Sequence, residues 1–394
     1  FFEASLIPMY FIVGIWGGEN RIYATIKFFI YTMVGSVFML LAIVALMYMS
    51  QALPGGRMTA SLVDLYKLEL PFIAGDFFST QTLLFFAFAL AFAIKVPVFP
   101  FHTWLPDAHV QAPTPGSVIL AGVMLKMGTY GFLRFAIPLF PQATQYWAWL
   151  FLLLGVVGII YGALVAMVQP DVKKLVAYSS VSHMGYILLG MFALNEFGVT
   201  GGLYQMLNHG ISTGALFLLV GMIYDRTHSR EISKYGGLAA VAPIFTICFI
   251  IVTMSSIAVP LTNGFVGEFL ILLGIFETNK VYAAFAVSGV VLGAAYMLWM
   301  VKKVFFGPPG EIISKYKDIN LDINLREIAV MAPLILLIFW MGIFPHHFLK
   351  YSKASIQHLV EQKADYYLPS VVDTLPSETV IIQEQGEENS EGSK

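Results

Sequence analysis

The sequence predicts an all-α polytopic membrane protein, and three observations carry that prediction. The chain of 394 residues is 58% hydrophobic and only 12% charged, against about 25% charged in a soluble domain. Its apolar residues fall into ten runs, most near the roughly 20 residues that a helix needs to cross about 30 Å of hydrocarbon. Two of these runs are interrupted by proline beside an ionisable residue. Backbone broken at membrane depth is tolerated only where protein or a water-filled cavity re-satisfies its polar groups.

Taken in order, the predicted spans are 1–15, 22–49, 81–101, 116–137, 147–168, 175–194, 199–224, 239–276, 282–305 and 328–348. The first begins at Phe1 without a methionine and carries Glu3. It lacks the basic start and small-residue cleavage site of a signal peptide and reads as a fragment opening inside a span. Residues 61–68 fit either an interfacial helix or a plain loop. Loops after the odd-numbered spans carry Arg21, Lys173, Lys174, Arg226, Arg230, Lys234, Lys302, Lys303, Lys315, Lys317 and Arg326; the other side holds Arg57, Lys67, Lys280, Lys350 and Lys353. The positive-inside rule puts the first set in the cytoplasm or matrix. The tail 361–394 has eight acids against two lysines and is expected to be a solvated, largely disordered extension.

Several chemistries are excluded. A net charge of −2 argues against a nucleic-acid partner. One cysteine, Cys248, supplies neither a disulfide framework nor a thiolate metal site nor a full iron–sulfur ligand set. No phosphate-cradling glycine motif is present, so nucleotide binding has no support.

The most informative stretch runs from Leu83 to Ile94 without a charge, meets Lys95, and is followed by Val96-Pro97-Val98-Phe99-Pro100-Phe101. A charged side chain at bilayer depth costs roughly 2.5–3.5 kcal/mol on insertion scales and is a functional residue by default. The prolines remove backbone donors just past it. The run 239–276 repeats the pattern with Val259-Pro260-Leu261-Thr262-Asn263-Gly264-Phe265-Val266-Gly267-Glu268. Two interrupted helices in corresponding halves point to a transporter built from inverted repeats.

Six ionisable residues therefore stand out at depth: Glu3, Lys95, Lys126, His183, His209 and Glu268. Desolvation disfavours a charged lysine and a nearby carboxylate restores it, so a buried lysine with a movable acid is a protonation switch. Histidine suits the relay between such sites. Plainer roles remain beside these. The lysines can snorkel, the histidines can be hydrogen-bonded bundle residues or paired haem ligands, and Glu268 can cap the second half of its helix. His102, Asp107 and His109 flank proline turns and are expected to be structural.

At these residues the chain resembles a known family. The motifs are Phe2-Glu3, Ile7-Pro8-Met9-Tyr10, Lys95-Val96-Pro97, His102-Thr103-Trp104-Leu105-Pro106-Asp107-Ala108-His109 and Gln111-Ala112-Pro113-Thr114, with Ser182-His183-Met184-Gly185-Tyr186, the run from His209 to Phe217 and Gly264-Phe265-Val266-Gly267-Glu268-Phe269. They are similar to the antiporter-like, proton-pumping subunits of respiratory complex I (NADH:quinone oxidoreductase), and Glu268, where sister subunits usually have lysine, favours the M type. The resemblance implies fourteen membrane helices with two inverted five-helix repeats and two discontinuous helices, of which about ten spans are present here. It implies a division into 1–137 (rest of the first repeat), 138–306 (second repeat), 307–349 (loop and last span) and 350–394 (acidic tail).

By the same resemblance Glu3 pairs with Lys95 on the first broken helix, Lys126 is central, His183 and His209 lie on a hydrophilic axis, and Glu268 is the carboxylate of the second broken helix. The implied function is proton translocation coupled to quinone reduction elsewhere. No catalytic, cofactor-binding or metal-binding residue is expected in this chain; FMN, iron–sulfur clusters and quinone belong to partner subunits. The implied partners are the other membrane subunits, above all neighbouring antiporter-like ones, and the lipid bilayer. The implied location is the bacterial inner membrane, with the mitochondrial inner membrane as alternative. Competing readings are a subunit of an Mrp-type cation/proton antiporter or of a membrane-bound hydrogenase, and a stand-alone solute transporter.

Overall fold

The computed structural model describes residues 2–316 and 320–367. Among them every regular element is helical, which is what a bilayer imposes on any spanning segment that is not a closed barrel. In chain order the helices are α1 (Leu6–Trp16), α2 (Arg21–Met49), α3 (Leu62–Leu65), α4 (Thr80–Lys95), α5 (Trp104–Gln111), α6 (Thr114–Ile119), α7 (Leu125–Gly131), α8 (Ile137–Leu139), α9 (Pro141–Met167) and α10 (Val172–Phe192). There follow α11 (Glu196–Thr227), α12 (Leu238–Val241), α13 (Pro243–Ser256), α14 (Asn263–Thr278), α15 (Lys280–Phe305), α16 (Glu311–Lys315), α17 (Leu325–Ile343), α18 (His346–Leu349) and α19 (Lys353–Tyr367).

Seven helical stretches are long and apolar enough to cross a membrane, and shorter apolar helices lie at Leu6–Trp16, Thr80–Lys95 and Pro243–Ser256. The expected spans 81–101 and 239–276 thus resolve into separate pieces, as their prolines predicted. Segment 61–68 contains only the single turn α3, where the Lys67 ammonium and the Ser61 hydroxyl hold the exposed Asp64 carboxyl below its ordinary value. Helix α19 runs past residue 361, into the segment expected as a solvated extension; the rest of that tail lies outside the described residues.

The helices are arranged from a buried centre to a lipid-facing rim. In α10 94% of the apolar window is buried and in α11 78%, against 28% for α2 and 22% for α17. The rim helix α2 shows Ile22, Ile30, Leu40 and Leu41 outward, as a surface solvated by lipid tails requires. The centre can hold polar side chains because neighbouring helices, not lipid, surround it. Small residues bring these helices together. A Cβ at Gly185 of α10 would lie 2.7 Å from the Gly155 carbonyl oxygen of α9, and one at Gly210 of α11 would lie 3.0 Å from that of Gly122.

Both breaks re-satisfy their backbone. At the first, the Val98 amide donates to Ala93 O at 2.8 Å, and the carbonyl of Ile94 is taken by the Trp104 indole at 2.9 Å. Helix α5 is then held to α2 by the Lys27–Asp107 pair at 2.7 Å and by Tyr31 with Thr103 at 3.0 Å. At the second, Ala258 and Leu261 adopt positive φ of 56° and 74°, an uncommon conformation for residues with side chains. It turns the chain between α13 and α14. Two π-helical stretches, Leu120–Met124 and Phe132–Ala136, flank α7; such irregularities occur often at functional sites.

Away from the centre, Arg226 at the end of α11 grips Glu327 of α17 with two hydrogen bonds of 2.8 and 2.6 Å. Glu327 also completes a capping box with Asn324, and Asp322 beside it accepts the Ile244 and Phe245 amides that open α13. One charged cluster therefore ties α11, α13 and α17 at the basic face.

Candidate functional site

Four of the six residues singled out from the sequence meet at the buried centre. Lys126, on the helix between the π-helical stretches, is half-buried, and its Nζ turns inward. It donates to Ala121 O, a carbonyl of the first π stretch, and contacts His209 Nδ1 of α11, each at 2.5 Å. The rings of His209 and His183 stand 5.7 Å apart between centroids, at 53°. His183, on α10, reaches Glu268 of α14 at 3.1 Å through Nδ1. His183, His209 and Glu268 are all buried.

The gap between the histidines is small and polar. His183, Gln205, Asn208, His209, Ser212 and Ser256 line part of a cavity of about 10 Å³, about what one water occupies. Such a space has no room for a haem, which removes the paired-ligand reading of the two histidines. His209 Nε2 is buried with no hydrogen-bond partner among the described residues, while His183 Nε2 lies 3.4 Å from Ser256 Oγ.

A second layer orients the first. Gln205 Nε2 donates to Glu268 Oε1 at 3.0 Å, and Asn208 Nδ2 donates to Gln205 Oε1 at 3.1 Å and to Asn263 O at 2.7 Å. Ser255 donates to Asn263 Oδ1 at 2.5 Å and pairs with Ser212 at 2.6 Å. The network joins α10, α11, α13 and α14, so both halves of the second broken helix are tied to the axis. Glu268 does not cap α14: Thr262 holds the N-cap position, and the first turn of that helix carries no acid. Its carboxylate is spent on His183 and Gln205.

Lys95 and Glu3 stand apart. Lys95 is 1% exposed, and its Nζ has no hydrogen-bond partner among the described residues. It sits 4.9 Å from the Phe2 ring centroid and 5.9 Å from that of Phe28, so aromatic faces stand where a carboxylate was expected. Glu3 is exposed, lies within electrostatic range of Lys95 and forms no ion pair among the described residues. No ion pair joins Glu3 to Lys95 among the described residues. Gly128 of α7 packs against Lys95, where a Cβ would come 3.0 Å from the lysine Cβ, which brings the first broken helix alongside the helix of Lys126.

His102 stacks on Phe99 and meets Tyr161 edge-on, and Asp107 holds Lys27. His109 is buried with its ring stacked on Phe217 at 4.5 Å.

Gln205 and Asn263 were missed in the sequence reading. A signal for the first existed: Gln205, Asn208, His209 and Ser212 follow an i, i+3, i+4, i+7 spacing, which puts all four on one face of a helix. Asn263 had none, since only the turn at 257–262 brings it back to α11. No group of three His, Cys, Asp or Glu residues suited to a metal occurs among the described residues.

Residues 1–293 match the family described as NADH:quinone oxidoreductase/Mrp antiporter, TM. The chain belongs to that family. Among curated members, NADH-quinone oxidoreductase subunit M of Rhodobacter capsulatus is 51% identical over 92% of this chain and 70% of its own length. NADH-ubiquinone oxidoreductase chain 4 of Marchantia polymorpha is 45% identical over the same shares. Among solved structures, a chain of respiratory complex I from Thermus thermophilus superposes with a TM-score of 0.80 at 35% identity, covering 92% of this chain and 73% of that one. A chain of the Mrp complex from Dietzia superposes with a TM-score of 0.77 at 22% identity, over 92% of this chain and 73% of that one, and so shares the antiporter fold. This NADH:quinone oxidoreductase/Mrp family chain is thus an all-helical, antiporter-like membrane subunit.

Proposed function

We propose that this chain is the M-type proton-translocating membrane subunit of NADH:quinone oxidoreductase, and that protons pass along its buried axis from Lys126 to Glu268. The observation that carries the reading is the sequence of contacts Lys126–His209, His209–His183 and His183–Glu268 through the centre of the molecule. Membership of the family and the 51% identity to a subunit M support the assignment to complex I.

Each step moves one proton and no electron. A charged Lys126 donates to His209 Nδ1, so the neutral His209 carries its proton on Nε2. When Lys126 releases its proton to Nδ1, the ring can shed the Nε2 proton through the one-water cavity to His183 Nε2. His183 then yields its Nδ1 proton to Glu268, 3.1 Å away. The rings can act as two-ended relays because an imidazole accepts a proton at one nitrogen and releases one from the other. Gln205 holds the Glu268 oxygen that accepts the proton. Lys95, caged by aromatic rings with Glu3 withdrawn, supplies the switch: closing the Glu3–Lys95 pair favours charge on Lys95, and opening it sends a proton toward Lys126.

In this reading the two broken helices belong to inverted five-helix repeats. The basic face is cytoplasmic in a bacterial inner membrane, and the neighbours are other antiporter-like subunits. FMN, iron–sulfur clusters and quinone reside in partner subunits. Affinity purification of the chain from its native membrane tests the assignment. Co-purifying flavin and iron–sulfur subunits with inhibitor-sensitive NADH oxidation are expected. Antiporter-type partners without redox activity would keep the path and transfer the function to cation exchange.

A further inference from the structure

Gln205 and Asn208 stand one turn apart on α11 and join the acid of the second broken helix to the break itself. Gln205 Nε2 donates to Glu268 Oε1 at 3.0 Å, and Asn208 Nδ2 donates to Gln205 Oε1 at 3.1 Å. The same Asn208 nitrogen donates to the backbone carbonyl of Asn263 at 2.7 Å. Gln205, Asn208 and Asn263 are all buried. Both amides of α11 turn their nitrogen toward the acid, an orientation that suits a carboxylate, which only accepts hydrogen bonds. We propose, on the premise of the proton axis above, that Gln205 and Asn208 are positioning residues: protonation of Glu268 turns both amides and frees the Asn263 carbonyl, so that the charge of the acid sets the conformation of the break.

A protonated carboxyl presents a donor where the carboxylate presented an acceptor. One O–H bond forms at Glu268 as one N–H bond breaks at His183 Nδ1, 3.1 Å away. Once the His183 ring has returned to its Nδ1–H form, the carboxyl proton needs an acceptor on the Gln205 side. Gln205 supplies it by turning its amide half a revolution, with Oε1 toward the acid and Nε2 toward Asn208. Asn208 then turns its Oδ1 to accept from Nε2, and its nitrogen leaves Asn263 O. The amide turns move neither proton nor electron.

The structure holds both the spare bonding capacity and the room for this. Asn208 Oδ1 and Asn263 Nδ2 are buried with no hydrogen-bond partner among the described residues, so the turn engages an acceptor that is otherwise orphaned. Gly267 faces the pair, and a Cβ there would lie 2.7 Å from Asn208 Nδ2 and closer still to Gln205 Oε1. Asn263 opens α14, directly after the turn in which the Val259 and Thr262 amides donate to Met254 O and Val259 O at 3.0 and 3.1 Å. Its side-chain oxygen stays tied to Ser255 at 2.5 Å, so the relay loosens the break without detaching it.

A plainer role competes, in which the amides only satisfy a buried acid and a buried carbonyl. A response to pH separates the two. Helix α10 faces Glu268 with His183, in contact, and with Tyr186; α15 faces it with Tyr296 and α11 with the uncharged Gln205. The phenols remain neutral at ordinary pH. Helix α13 carries no acid, lysine, arginine or histidine, and the charged Arg326 and Glu327 of α17 lie at the basic face.

The test follows hydrogen exchange of segment 257–264 in the purified, assembled complex over a pH series, as a ratio to a buried stretch of α9, which cancels the intrinsic pH dependence of amide exchange. In the native complex the ratio is expected to rise roughly two- to tenfold as the pH falls, the effect of losing one hydrogen bond. It should not respond to pH in Glu268→Gln, where the acid is gone, or in Gln205→Met, where the acid remains and the relay is cut. A ratio independent of pH in the native complex, or a native response in either variant, overturns the relay. If Gln205→Met does not assemble, Asn208→Leu decides: fast exchange at every pH sustains the relay and a native response overturns it. Protons pumped per NADH, measured on the same preparations in vesicles, test the axis separately. A normal yield in Glu268→Gln overturns the axis, whereas the relay alone falls if the native break ignores pH.

Discussion

His183 Nδ1 and Glu268 Oε1 meet at 3.1 Å between α10 and α14, 85 residues apart in the chain and both buried. Gln205 shares the same carboxylate oxygen at 3.0 Å. The acid on the second broken helix is thus engaged by a histidine of a neighbouring helix and not by its own helix end. Glu268→Gln keeps a group of the same shape but removes the proton-accepting carboxylate. The complex is expected to assemble and to pump fewer protons per NADH, measured by acidification of the vesicle lumen against NADH consumed. A wild-type ratio would remove Glu268 from the path.

Lys95 is buried against Phe2 and Phe28, and replacing it with methionine puts an apolar chain of similar reach into an aromatic cage. Lys95→Met is expected to fold at least as well as the native chain, because the cost of burying an amine disappears. Proton pumping should nevertheless be abolished or sharply reduced. Native pumping with a normal content of assembled complex would leave Lys95 without a role in translocation.

The Arg226–Glu327 pair is the tightest charged contact at the basic face, bidentate and largely shielded from solvent. Arg226→Ala leaves a carboxylate behind and should cost about 3 kcal/mol, in the range for breaking a buried pair from one side. A lowered midpoint of thermal disassembly of the purified complex would register it. Combining Arg226→Met with Glu327→Leu should recover much of the loss, because no charge is then stranded. A double variant as unstable as Arg226→Ala would show that the cluster acts through Asp322 and the α13 amides.

Gly185 lets α10 approach α9 until a Cβ would lie 2.7 Å from the Gly155 carbonyl and 2.9 Å from the Ile159 amide nitrogen. Both are backbone atoms, with no side-chain freedom to yield. Gly185→Leu should cost about 3 kcal/mol or more by overpacking and displace His183, two residues earlier on the same helix. A reduced content of assembled complex in the membrane is the expected readout. Normal content and pumping would mean that the α9–α10 contact is looser than this packing shows.

Composition and the two interrupted apolar runs determined by themselves that the chain is a helical membrane protein with broken helices at Lys95 and before Glu268. Lipid offers no hydrogen bonds, so an unsatisfied break or an isolated charge in an apolar run has few explanations. That physical scarcity made Lys95, Lys126, His183, His209 and Glu268 legible one at a time. Which of them touch was decided only by the tertiary structure. The turn at Ala258 and Leu261 carries α14 back against α10 and α11, so Glu268 reaches His183 and Asn263 reaches Asn208. Lys95 meets rings in place of Glu3, and His109 stacks on Phe217 with neither ring nitrogen hydrogen-bonded among the described residues. Spacing along one helix reveals a shared face, but contacts between helices depend on crossing positions set by glycine-sized gaps and broken turns, which leave no local pattern in the chain.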